Sequence, residues 1–149
     1  MNYAKFFAAS VLASVASDQS FAWDSEVADY SVEAAMSQVL AKKELGADVE
    51  FYFGGQNVFG IVATSFGEAE TNRKNNAYNK SNEQACQGAF LFALRSLRDR
   101  ARNLGANAVI NIRSNYLGDE DISETTYQCE AGEVLAGVSF IGDIVKLER

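Results

Sequence analysis

The stretch from Ser81 to Gly105 constrains this chain more than any other. Ser81-Asn82-Glu83-Gln84 has the form of a capping box, with Ser81 as N-cap and Gln84 reaching back to it. The spacing predicts a helix from about Asn82 to Asn103, closed by Gly105 as its C-terminal cap. Cys86, Phe90, Ala93, Leu97, Ala101 and Leu104 recur at three- and four-residue intervals and make one apolar stripe. A helix this long and this one-sided needs a core to cover it.

The segments around it read mainly as strands. Val49 to Phe53 is one, ended by Gly54-Gly55, and Val58 to Phe66 is a second, weakened at Gly60. The polar stretch Glu70 to Lys80 reads as a long exposed loop. Ala106 to Tyr116 alternates, with Ile110, Ile112 and Tyr116 on one face and Asn111, Arg113 and Asn115 on the other. Thr125 to Ala131 places Tyr127, Cys129 and Ala131 on a common face. Val134 to Leu147 is apolar on both faces, as in a central strand, with an interruption at Gly142-Asp143. Ahead of these, Asp24 to Lys43 has helical spacing in Val32, Ala35, Met36, Val39 and Leu40, ended by Gly46. The fold class expected is α+β: a mostly antiparallel sheet packed by one long helix, with an additional N-terminal helix.

The first 22 residues have the layout of a cleavable signal peptide. Lys5 supplies a positive start, Phe6 to Ala16 an uncharged run, and Ser20-Phe21-Ala22 small residues before a cut at Trp23. Ser14-Val15-Ala16 offers an alternative cut. The run is shorter than the roughly 20 residues a membrane span needs, and no Cys stands near the cut for a lipid anchor. The expected mature chain, residues 23–149, is a single periplasmic or secreted domain.

An exported chain with two cysteines points to a structural disulfide. Cys86 lies in the stripe of the long helix and Cys129 on the apolar face of a strand, so both sulfurs should face the core. The alternative is two buried free thiols. Without a C-x-x-C spacing, a redox pair is not indicated.

Composition removes whole classes of chemistry. The chain has no His, which takes away the commonest general base, the usual zinc ligand and every Ser-His or Cys-His nucleophile pair. Its net charge of -7 argues against binding a phosphate backbone, so nucleic acid is not an expected partner. Gly55 to Gly60 has P-loop glycine spacing, but Ile61-Val62 stand where Lys and Ser or Thr would be, so no nucleotide is expected. Arg95, Arg98, Arg100 and Arg102 read as a solvated helix flank, with Arg95 placed to pair with Asp99. Asp119, Glu120, Asp121 and Glu124 crowd one turn but lack the spacing of a calcium loop. No metal, cofactor or catalytic residue is assigned. Leu91 and Phe92 stand off the apolar stripe and are the candidate interface. Their cover is either the N-terminal helix, through Val32, Met36, Val39 or Leu40, or a second subunit.

Several stretches together carry a resemblance: Val49 to Gly54, Thr71 to Cys86, Leu104 to Tyr116, and Glu124 to Leu147. The set resembles a family of small exported bacterial proteins often labelled an excinuclease subunit, although the Walker motifs and zinc ligands of such a subunit are missing. The long helix running into Leu104 to Ile112 is similar to the YbjQ-like domain, called heavy-metal-binding, and to the periplasmic domain of the Rcs envelope-stress lipoprotein. These similarities imply a small α+β sandwich, and the YbjQ-like one a tendency to form rings of subunits. The function expected is an exported, non-enzymatic binding or assembly module. A small carboxylate-dependent hydrolase, or an envelope-stress or metal-sensing module, stands as the alternative.

Overall fold

A computed structural model of the chain describes residues 25–149. The expected signal peptide and the cut before Trp23 lie outside the described residues.

At the start Ala28 and Tyr30 are half-buried between exposed neighbours, and Glu26–Ser31 forms strand β1, not the helix expected from Asp24. Helical spacing there loses to cross-strand pairing. β1 lies antiparallel along β6, Thr126–Ala131, and sets Tyr30 opposite Tyr127. Ser31 ends the strand and caps helix α1, Val32–Met36, its Oγ accepting from the Ala34 N–H at 3.1 Å. A break at Ser37-Gln38 then re-phases the chain into α2, Val39–Leu45. The buried stripe runs Val32, Ala35, Ala41, Leu45 as a result, and Val39 and Leu40 face solvent at 83% and 56% exposure.

β2, Glu50–Phe53, pairs in parallel with β4, Ala108–Tyr116, the one parallel pair among the described residues of the seven-stranded sheet. β3 spans Ile61–Asn76, so most of the loop expected over Glu70 to Lys80 is strand. Ala69 and Thr71 turn inward while Glu68, Glu70 and Asn72 stay exposed, a two-residue alternation hidden by polar composition. β7, Leu135–Glu148, is the central strand. β3 covers the whole of one of its edges; β6 and then β4 share the other. Asp119–Asp121 adds a short strand, β5, at the end of β4.

β7 is not interrupted at Gly142-Asp143. The irregularity lies opposite, in β4, between Ile110 and Arg113. Asn111 there has φ +50°, so the extra residue is a bulge with a left-handed backbone. The bulge shifts the alternation: Val109 and Ile112 enter the main core, whereas Ile110 packs on the opposite face with Tyr52, Val58, Val145 and Leu147. The bulge also brings β4 against Gly142, where an added Cβ would stand 2.6 Å from Val109 Cγ1.

α3, Asn82–Leu104, lies across the inner face. Its capping box is complete, with Ser81 Oγ accepting from Gln84 N–H and Gln84 Oε1 accepting from Ser81 N–H. Gly105 closes it with φ +74°. The stripe buries Phe90, Leu94, Leu97 and Ala101 completely. Phe90 stacks on Phe53 at 5.7 Å and meets Tyr127 at 4.6 Å between ring centres, with Phe140 edge-on. Each such side chain contributes roughly 1.5–3 kcal/mol by leaving water.

Candidate functional site

Cys86 and Cys129 form a disulfide between the first turns of α3 and the middle of β6, with Cα atoms 5.9 Å apart. Helix start and strand are thereby fixed to each other across a 43-residue separation.

The flank of α3 beside α2 is an ion-pair seam, and Arg98 departs from the solvated face expected for the arginines. Arg98 is buried, donating to the Glu44 carbonyl and to Asp99 Oδ1. Arg95 pairs with Glu44, not Asp99, and Arg102 makes a two-pronged pair with Asp48 at 2.7 Å. The hydrogen bond from Arg102 holds the Asp48 carboxyl below the usual carboxylate range. Leu91 lies on this side at 5% exposure and joins the buried cluster that contains Val32, Ala35, Ala41 and Leu45. Leu91 is therefore buried within the chain itself. Phe92 is not covered in this way: it is 37% exposed, with only the Arg95 guanidinium over its ring at 5.9 Å.

The acidic turn does not converge. Glu120 accepts from Arg113, which also donates to Glu68 at 3.0 Å. Asp119 is exposed, and Glu124 lies beside Gly55 at the start of the β2–β3 connection. Burial pulls the Arg113 guanidinium down, but its bonds to Glu120 and Glu68 outweigh that and leave it firmly protonated. Among the described residues, no group of three or more His, Cys, Asp or Glu is placed to hold a metal ion. The connection from Gly54 to Gly60 is a turn braced by Gln56, which accepts from Phe53 N–H and donates to the Glu124 carbonyl.

The surface that stands out is β3. Among the described residues it pairs with β7 alone, so its outer edge offers unpaired N–H and C=O groups. Two register shifts disturb the pairing before Glu68; from Glu68 to Asn76 it runs nine residues without a break. Ahead of that run the exposed apolar side chains Phe59, Ile61, Val62 and Phe66 form a fringe, Ile61 at 76% exposure. The edge is held firmly from the helix side: Arg73 donates to Ser96 Oγ at 2.9 Å and Asn75 to the Ala85 carbonyl at 3.1 Å. On the other face Asn115 donates to Glu70 at 2.9 Å. Sequence reasoning missed this site because ETNRKNN has Thr71 as its one β-branched residue and no aromatic one, which is thin for a strand. The available signal was the small residues Ala69 and Thr71 at two-residue spacing. No helix of the described residues is long and apolar enough to cross a membrane.

Comparison with protein-family models, with curated proteins and with solved structures finds no match.

Proposed function

We propose that this chain is an exported, non-enzymatic binding or assembly module whose working surface is the outer edge of β3. The observation that carries the reading is the free edge itself, with its fringe of Phe59, Ile61, Val62 and Phe66. Natural sheets blunt a long edge with Pro, bulges or cover, because an open one recruits another strand. Here the bulges lie only in the apolar half, and the chain has no Pro. A disulfide under the sheet and helix anchors at Arg73 and Asn75 make the edge rigid, which lowers the ordering cost of binding. The lack of His and the dispersal of the acidic turn favour binding over carboxylate hydrolysis.

Crosslinking in the exported fraction tests it. Wild-type protein should give crosslinked complexes that Ile61→Asp with Phe66→Asp abolishes, with circular dichroism and Tm unchanged. Robust hydrolase activity of the pure protein, lost on changing Asp119, Asp121 or Glu124 to the amide, would replace this reading with the enzymatic one.

A further inference from the structure

The charge order along the regular part of β3 singles out its partner. Glu68 and Glu70 occupy the first half of the unbroken run and Arg73 and Lys74 the second. Such a strand is complementary to itself only when reversed. A parallel copy in register would set acid against acid and base against base; an antiparallel copy sets acid against base. We propose that β3 pairs antiparallel with β3 of a second copy of this chain, about a two-fold axis at Asn72. The inference rests on the edge-binding reading above and names its occupant.

Face and register agree with this. A two-fold axis normal to the sheet keeps inner faces together, so each residue must meet a partner of the same parity. Inward Ala69 and Thr71, and outward Glu70 and Lys74, obey that rule about Asn72. Glu70 then lies opposite Lys74 twice by symmetry, Glu68 opposite Asn76, and Asn72 opposite itself. Lys74 makes no ion pair among the described residues. Nine residues give a paired length of about 30 Å. Both long helices fall on one side of the joined sheet. Phe92 stands one helical turn from Gly88, which touches Asn75, and one turn from Ser96, which touches Arg73. The exposed ring therefore lies on the part of α3 that rides above β3, close to the seam.

Light scattering on the intact, oxidised protein across micromolar concentrations reads the dimer, and charge exchange reads its register. Wild type should dimerise. Lys74→Glu places acid against Glu70 at both symmetric positions and should weaken the dimer about tenfold or more. The double variant Glu70→Lys with Lys74→Glu restores both pairs and should recover it. A second variant removes dependence on charge: Asn72→Cys should crosslink to its own copy under mild oxidation, because opposed residues lie about 4.5–5.5 Å apart between Cα atoms. Asn76→Cys should not, since its copies would stand about 27 Å apart. A wild-type monomer at every concentration overturns the inference, as does a dimer indifferent to Lys74→Glu and to the cysteine position. Neither of those results touches edge binding of another protein, which fails if the Ile61 and Phe66 changes leave the crosslinked complexes intact.

Discussion

Tyr127 is fully buried among aromatic rings, and its hydroxyl has no hydrogen-bond partner among the described residues. An orphaned buried hydroxyl costs about 1–3 kcal/mol, so Tyr127→Phe should stabilise by about 1 kcal/mol and raise Tm by a few degrees. Burial, then Tyr30 and Glu83, push the phenol's pKa well above its ordinary value of 10.0. Since the folded value is the higher one, the proton is kept in the fold and lost from the unfolded chain as pH rises past 10. Stability is therefore unaffected at neutral pH and declines above 10, and Tyr127→Phe should flatten that decline in melts taken at increasing pH. Cys86 and Cys129 are the other pair of decisive residues. Their bond closes a 43-residue separation, so reduction should cost roughly 2–4 kcal/mol in urea unfolding. Equal midpoints with and without reductant would contradict a stabilising role.

Four elements show where sequence reading works and where it stops. α3 was legible almost to the residue because its signals are local: the cap at Ser81, the 3.6-residue stripe and the closing Gly105. Ser81→Ala should cost about 1 kcal/mol, seen as a lower midpoint in thermal melts. The pairing of its Cys86 with Cys129 followed from the same stripe and from the alternation around Tyr127. β1 and the part of β3 beyond Phe66 were not legible in this way. Their residues have helical or loop-like composition, and the pairing with β6 and β7 that makes them strands lies far off in sequence. β4 shows a third cause. One extra residue at Asn111 reverses the alternation, so Ile110 and Ile112 face opposite sides despite their spacing. Asn111 is left-handed, which a β-branched side chain tolerates poorly. Asn111→Val should therefore unfold more readily than Asn111→Gly, by about 1–2 kcal/mol in denaturant titration. The candidate site was less legible than the fold. Leu91 and Phe92 both stand off the stripe, yet Leu91 is buried in the common core with Ala41 and Leu45 while Phe92 is 37% exposed, a difference that spacing alone does not carry.

At the scale of the molecule, one long helix, a disulfide and an ion-pair seam on the α2 side brace the inner face of a sheet whose β3 edge has no partner strand among the described residues. At that edge the bonds from Arg73 to Ser96 and from Asn75 to the Ala85 carbonyl tie β3 to α3. In the proposed assembly this edge becomes paired. Hydrogen exchange of the intact, oxidised protein, followed amide by amide at low and high concentration, reads it most directly. Within Glu68 to Asn76 the amides that face β7 should be protected at both concentrations. The alternate amides, which face outward, should exchange quickly in dilute solution and become protected as the protein is concentrated. Outward amides that exchange at the same fast rate at every concentration, while those toward β7 stay protected, would contradict it.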